Sequence, residues 1–468
     1  MQVPLIAGAK AGQDGGFSVS YPVNLEPVPS ETGISKGYMR SAAGVVQFAA
    51  IPGIDRGGIN WNGVLYRVCG TKLVKIGQNG AVTILGDVGG SGQVVMDYGF
   101  DRLAINSGAN LYYWDGTTLT QVTDPDLGPV KDFLWINGYY ATTDGTSIVV
   151  TDLSDPFSVN PLKYGSAEED PDMVVGLFKL RGELYALGQY TIQVFSNVGG
   201  SGFPFQANTA ATVPVGIVGR DAKCRYYRTL AFVGQEREDE TPTAPAVYLM
   251  DGGSATKIST REIDDQLAKV ADLSSIVCES RTYRDERRLL IHLGDRTLVY
   301  CANASRISGE ACWYTARSGL GMNKVYRARN AVFCYNEWIC GDTETANVGK
   351  LDEKTSTQFG EESGWRFETI FVYNQARVGI LHTLELVGLP GRAALGEKPV
   401  AFMSTTMDGQ SWSIERSAST GARGDTAKRV QWRPHRRFNN YIGLRFRGAS
   451  NALAGWAACE VEVEPLKS

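Results

Sequence analysis

One hairpin recurs along the chain, and it limits the fold more than any other feature. Aligned on its glycine, it runs from Leu65 through Gly70 to Leu73, from Leu103 through Gly108 to Leu111, and from Tyr140 through Gly145 to Ile148. With one more turn residue it returns as Leu184, Gly188 and Ile192, and as Leu290, Gly294 and Leu298. Two looser copies fill the gaps, Thr229 to Gly234 followed by Val247 to Met250, and Val332 to Tyr335 followed by Trp338 to Gly341. The units start near residues 57, 92, 130, 172, 215, 272 and 323. A repeat of roughly 40 to 50 residues, each a small antiparallel sheet, is the signature of a propeller, which closes radially and so protects its strand edges. Seven blades are counted, with six as the alternative; a sandwich or solenoid of stacked hairpins is the competing arrangement.

The turns between these strands are marked by Asn62-Gly63, Asn79-Gly80, Asn137-Gly138, Asp115-Gly116, Asp144-Gly145, Asp251-Gly252 and Asp408-Gly409. Such pairs can hold positive φ at both central residues, the geometry that tight hairpins need. The 54 glycines among 468 residues, well above a usual share of about 7%, fit many tight turns. Apolar residues alternate between the turns, as in Val64, Tyr66 and Val68, the period of half-buried strands. The fold class is therefore all-β, a β-propeller of six or seven blades over 57–358 followed by a C-terminal β-sandwich over 359–468. The polar stretch 354–364 marks the boundary, and beyond it Trp365, Phe367, Thr369, Phe371 and Tyr373 alternate, as do Cys459, Val461 and Val463. A helical insertion is expected near 259–272, where Ser259 and Glu262 have the spacing of a capping box and Ile263, Leu267 and Val270 recur at helical period. Its apolar stripe is expected to pack locally. Residues 1–56, rich in glycine and proline and poor in periodicity, are expected to be irregular and to make assembly contacts.

Chemistry is sparse. There is no phosphate-binding glycine loop, no H-E-x-x-H and no G-x-S-x-G elbow. Three histidines lie far apart in sequence at 292, 382 and 435, and the eight cysteines include no C-x-x-C pair, so neither a zinc site nor a disulfide framework is indicated. No cofactor is expected. The acidic clusters at Glu168, Glu169, Asp170 and Asp172 and at Glu236, Glu238, Asp239 and Glu240 lack the spacing of a calcium loop and are expected to be solvated. Asn303-Ala304-Ser305 and Arg423-Gly424-Asp425 are too short to carry a role. A net charge of −4 argues against a protein that lives by gripping nucleic acid. No apolar run is long enough for a membrane helix, so no membrane insertion is expected, and no export signal is recognised. The most charged feature is Lys428, Arg429, Arg433, His435, Arg436 and Arg437 interleaved with Trp432 and Phe438, which suits a protein interface or a contact with a phosphate backbone.

A set of segments in fixed order resembles a known family. They are Ser35 to Ser41, Val64 to Leu73, Leu289 to Tyr300, Ile339 to Asp342 with Val348 to Leu351, Ser404 to Gly409, and Ile442 to Phe446. Together they resemble the packaged-DNA stabilisation, or tail hub, proteins of short-tailed phages related to the Salmonella podoviruses. The resemblance implies a non-enzymatic virion tail component, assembled in the bacterial host cytoplasm. It would form a ring with itself, a hexamer, below the portal and its head-to-tail adaptor. The ring would close the DNA channel, stabilise packaged DNA, and carry a tail needle or tip and tailspikes or tail fibres. Genomic DNA would pass through without specific binding. Tyr38 and Arg40, with Lys428, Arg429, Arg433, Arg436 and Arg437, are the candidate assembly interface. The alternative is a carbohydrate-binding or carbohydrate-cleaving propeller.

Overall fold

Seven antiparallel sheets, six of four strands and the fifth of five, follow one another along the chain in the computed structural model. The structure describes residues 1–468 except 1, 4, 6–7, 12–16, 30–36, 109, 154, 168–171, 201, 239–240, 252, 284–285, 373–377, 450–452 and 467–468. The first strands of the blades are Asp55–Trp61, Val95–Tyr98, Asp132–Ile136, Val174–Leu180, the split pair Gly216–Ile217 and Lys223–Tyr226, Val277–Tyr283 and Ala328–Cys334. They lie within a few residues of the unit starts read from the repeat, and the blade number is seven.

Each seam between neighbouring blades has its own apolar cluster, because the middle strands are buried on both faces. In blade 1, Leu65 joins the cluster shared with blade 7 and Tyr66 the one shared with blade 2. In blade 6, Leu289 faces blade 5 and Leu290 faces blade 7. Alternation along a strand thus sends successive side chains into two different seams. The ring closes through a long-range pairing. The outermost strand of blade 7 is Gly44–Ala50, which pairs with Asn347–Asp352.

The turns split into two kinds. Asn62-Gly63 and Asn137-Gly138 have positive φ at both residues, as expected. At Asn79-Gly80, where Asn79 accepts the Ala81 N–H at 3.1 Å, and at Asp115-Gly116, Asp144-Gly145 and Asp408-Gly409, only the glycine does. There the aspartate instead accepts backbone N–H bonds two and three residues on, from Thr117 and Thr118, Thr146 and Ser147, and Gln410 and Ser411. A carboxylate can satisfy the turn's donors itself, which asparagine in a two-residue turn is not required to do.

The sandwich packs two sheets. One holds Gly364–Val372, Tyr441–Ala449, Val400–Thr406 and Arg416–Ser419; the other is built on Gly379–Gly388 and Gly455–Pro465. Trp365, Phe367, Leu384, Trp432, Phe446 and Trp456 fill the space between them. The second sheet also contains Gln2–Val3, Leu25–Pro29 and Gly37–Ser41. The described residues of the first 56 are therefore not irregular, contrary to expectation. Their periodicity is hidden because the strands are short and broken by proline and glycine, and their partners lie hundreds of residues away. Val3, Leu5, Leu25 and Met39 belong to the sandwich core, while Val45 and Ala49 belong to propeller seams.

The expected helix is present but shorter, Arg261–Leu267, with Ile263 and Leu267 buried against blades 5 and 6. Its capping box does not form: the N-cap is Thr260. The Ser259 hydroxyl donates to Asp264 at 2.5 Å, and Glu262 accepts the Val19 N–H at 3.1 Å. A second helix, Ala302–Ser308, carries Asn303 and was not anticipated. Tyr373, the side chain of Phe371, Gly252, and Glu168 to Asp170 with Asp239 and Glu240 fall outside the described residues.

Candidate assembly surface

The cationic run lies on one edge of the sandwich. Val430–Trp432 and Arg436–Phe438 pair with the Gly379–Gly388 strand on the side away from Gly455–Pro465. Val430, Trp432 and Phe438 turn inward, and the Trp432 indole N–H donates to the Arg416 carbonyl at 2.8 Å. Lys428, Arg429, Arg433, His435, Arg436 and Arg437 are exposed. Pro434 and His435, the latter at φ 45°, break the edge into two short strands. Arg429 forms a two-point ion pair with Glu385. Lys428, Arg433, Arg436 and Arg437 make no ion pair among the described residues. On Gly455–Pro465, across the Gly379–Gly388 strand, Glu460, Glu462 and Glu464 are exposed. A basic edge and an acidic row thus lie on one sheet with a single strand between them. His382 and His435, far apart in sequence, meet there at 3.4 Å, and His382 contacts Glu464 at 2.7 Å.

Tyr38 and Arg40 are not at this edge. Tyr38 is exposed, but Arg40 bonds Glu26 at 3.1 Å and Glu353 at 3.5 Å. Glu26 is buried and also holds Arg288 of blade 6 at 2.5 Å. Arg40 is therefore occupied in joining the sandwich sheet to blades 6 and 7, and it drops out of the candidate surface. No spacing in the sequence points to this network, because its members come from four distant segments.

The propeller axis carries a second arrangement that sequence patterns do not reveal. Asp97 of blade 2 accepts the Trp135 N–H of blade 3 at 2.7 Å and holds Lys179 of blade 4 at 2.5 Å. Asp132 of blade 3 accepts the Leu177 N–H of blade 4 and holds Lys223 of blade 5, at 2.7 and 2.6 Å. Arg220 of blade 5 donates to the carbonyls of Gln93, between blades 1 and 2, and Lys131, before blade 3. Gln93 in turn donates to Asn330 of blade 7 at 2.5 Å, and Asn330 to Asp55 of blade 1 at 2.8 Å. Side chains therefore bridge the axis where many propellers keep an open pocket. Asp132 is buried, and its pair with Lys223 resists opening, since losing Lys223 would strand the carboxylate.

The buried nucleophiles are quiet. Desolvation pushes the Cys69 and Cys340 thiols up to about 12, out of the range where a thiolate forms at neutral pH. All eight cysteines are free. His292, fully buried, is held below its usual range by desolvation, which outweighs the attraction of Glu279. Its Nε2–H donates to Glu279 at 2.8 Å, because a carboxylate can only accept, and its Nδ1 lies 2.8 Å from the Thr297 hydroxyl. No group of three or more metal-ligating side chains comes together among the described residues.

Two family models match the chain in succession. "Bacteriophage P22 Gp10, beta-propeller" covers residues 1–356, and "Bacteriophage P22 Gp10, beta-sandwich" covers residues 364–464. The chain belongs to the P22 Gp10 family. The tail hub protein gp10 of Salmonella phage P22 is 29% identical over 488 residues, with 99% of each chain covered. The N-terminal domain of Nup159 is similar to 69% of this chain and 97% of its own, at 11% identity and a TM-score of 0.40. The WD40 domain of Neurospora crassa Pan2 is similar to 68% of this chain and 98% of its own, at 9% identity and a TM-score of 0.41. As a Gp10-family member, the protein is a structural virion component of the phage tail hub that acts in DNA stabilisation, not an enzyme.

Proposed function

We propose that this Gp10-family chain forms a ring, a hexamer, below the portal and head-to-tail adaptor of a short phage tail. It closes the DNA channel there and carries the needle or tip and the tailspikes or fibres. The observation that carries this reading is the full-length relationship to a tail hub protein, at 99% coverage of both chains. The physics is compatible. DNA under pressure must be held and then released quickly, and a lumen that bound phosphates tightly would trap it. With a net charge of −4, retention is better achieved sterically, by a stiff closed wall.

The ring contact we propose uses the basic edge of the sandwich. Copies related by rotation meet through two different patches, and this sheet offers a pair of opposite sign: Arg433, Arg436 and Arg437 on the edge, and Glu460, Glu462 and Glu464 one strand further in. Tyr38 remains a candidate contact, as do the loops between blades. Mass photometry of the purified chain reads the ring directly. Six copies are expected, and a protein that stays monomeric at all concentrations and never enters particles overturns the proposal. Reversing Arg433, Arg436 and Arg437 to glutamate is expected to abolish the ring while leaving the melting midpoint unchanged. In particles made without the chain, negative stain is expected to show heads that have lost their DNA. Stably filled heads bearing complete tails would refute the role.

A further inference from the structure

The seam between blades 6 and 7 differs from the others. Its cluster mixes small side chains, Cys301, Ala304, Cys312, Ala316, Ala328 and Cys340, with Leu290, Val299, Tyr314 and Tyr326. A cavity of about 510 Å³ opens beside it, walled by Leu290, Val299, Tyr314, Ala316 and Tyr326 of that cluster and roofed by Ala42 and Ala43 of the N-terminal segment. Protein interiors are otherwise close-packed, and binding pockets for small molecules fall between about 300 and 1,000 Å³.

The lining combines two kinds of surface. Tyr283 and Phe333 lie at the mouth, 40% and 49% exposed, and the Trp338 ring stands 5.4 Å from that of Phe333. The Trp338 indole is fixed by donating to the Thr282 carbonyl at 2.7 Å. Deeper in, Arg281, Arg288, Glu26 and Glu353 form a polar wall. Every charge in it already has an opposite partner: Arg281 with Glu279, Arg288 with Glu26, Glu353 with Arg40, and Glu337 with Lys350. A charged ligand would find no uncompensated charge to neutralise. The Arg281 Nε–H is nevertheless buried without a hydrogen-bond partner among the described residues.

We propose that this seam binds a neutral saccharide of one or two rings. A sugar ring presents an apolar face to aromatic side chains and hydroxyls that both donate and accept, so it can stack on Phe333 or Trp338 while bonding the guanidinium and carboxylate wall. An apolar side chain from a partner would also fill the volume. It would cover the Arg281 Nε–H without supplying an acceptor, leaving that buried donor unpaired. The inference is independent of the ring and of the hub role, since it rests on this seam alone.

Saturation-transfer NMR and calorimetry on the full-length chain test it, with glucose, galactose, N-acetylglucosamine, rhamnose and their common disaccharides as probes. At least one is expected to bind. Ala43→Trp, at a half-buried roof position, is expected to plug the cavity and weaken binding by at least about tenfold, and Phe333→Ala by at least about threefold. Melting curves establish that each variant folds, and either one alone suffices. Failure of all the saccharides to bind overturns the proposal, as does binding that survives Ala43→Trp. Binding of N-acetylphenylalaninamide in their place also overturns it, in favour of an apolar partner side chain.

Discussion

Within the propeller, blades 1 to 6 are each made of strands consecutive in sequence, whereas the sandwich sheet built on Gly379–Gly388 draws strands from both ends of the chain. Blade 7 stands between the two: three of its strands are consecutive and the fourth is Gly44–Ala50. Only Ala42 and Ala43 separate that strand from Gly37–Ser41, which belongs to the sandwich. A body of local hairpins and a body of long-range pairings are thus fastened by one N-terminal segment. Local pairings incur little loop-closure entropy and form independently; long-range ones depend on the rest of the chain being in place.

Removing the fastener should have the largest effect and separate the two bodies. A chain starting at residue 44 keeps the closing strand of blade 7 but loses Leu25 and Met39 from the sandwich core. Calorimetry is expected to show a cooperative propeller transition and a sandwich that has melted or lost cooperativity. A chain starting at residue 51 also lacks Val45 and Ala49, buried in the two seams of blade 7. The propeller transition should then be lost or fall by more than about 10 °C, since a shift of 1 kcal/mol already moves a domain of this size by about 2–4 °C. Equal curves for the two truncations would mean that the ring closes without the N-terminal strand.

Next in size is Glu26→Ala. Glu26 is 3% exposed at its side chain and lies between Arg40 of the sandwich sheet and Arg288 of blade 6. Its removal leaves Arg288 buried without its carboxylate, a loss of about 3–5 kcal/mol. Glu26→Gln, which keeps the shape, should cost less. Removing Asp87, whose pair with Lys72 lies on the surface of blade 1, is expected to leave the urea midpoint unchanged. If Glu26→Ala proves equally silent, the joint is not held by this network.

The same contrast explains what could be read from the sequence. Hairpins such as Leu65 to Leu73 announce themselves because strand, turn and partner lie within ten residues. Gly44–Ala50 does not, because its partner Asn347–Asp352 is some three hundred residues away. The exposed cations from Lys428 to Arg437 were legible as a surface, since charge in quantity is rarely buried. Arg40 was not separable from them, because what removes it from the surface is Glu26 and Glu353, and no local pattern links those three. Likewise Ser259 and Glu262 have the spacing of a capping box, but Glu262 is taken by the distant Val19 N–H, and the Ser259 hydroxyl donates to Asp264 while accepting the Val247 N–H. The helix Ala302–Ser308 is seven residues long, too short for a periodic signal, and its end is visible only in Gly309 at φ 77°.

Acid should distinguish the two bodies more gently. His292 is buried in blade 6 and held below its ordinary value of 6.5, so the unfolded chain takes up a proton that the native one refuses. Stability from this group is present above pH 6.5 and declines below it, by up to about 1.4 kcal/mol per pH unit, until the native imidazole is protonated. Glu279 acts lower down. Its burial opposes ionisation, but Arg281 and His292 overcome that and hold it well below 4.5, so its contribution is present above 4.5 and lost as pH falls further. Urea midpoints of the propeller transition are expected to fall between pH 7 and 5.5. His292→Gln should flatten that segment and Glu279→Gln the one below 4.5. Neither histidine of the sandwich is fully buried. A sandwich transition that follows the same profile would argue that the bodies unfold as one.

The smallest effect concerns a turn that both bodies share. Asp115-Gly116 in blade 2 and Asp408-Gly409 in the sandwich use the same device, an aspartate accepting two backbone N–H bonds and a glycine at φ 102° and 74°. A Cβ at Gly116 would meet nothing within 4 Å, so Gly116→Ala adds only the strain of a left-handed backbone, about 1 kcal/mol. If turns act locally in both bodies, Gly409→Ala should cost the same, read as equal shifts in midpoint. Their kinetics should still differ. In blade 2 the turn joins strands that pair with each other directly, Asn110–Trp114 and Leu119–Gln121, so forming it nucleates a sheet. In the sandwich, Asp408-Gly409 lies in the connection from Val400–Thr406 to Arg416–Ser419, which pair only from Val400 to Met403; the longer pairing of Val400–Thr406 is with Tyr441–Ala449, and the turn forms without completing it. Gly116→Ala is therefore expected to slow refolding of the propeller, and Gly409→Ala to speed unfolding of the sandwich with little change in its refolding rate.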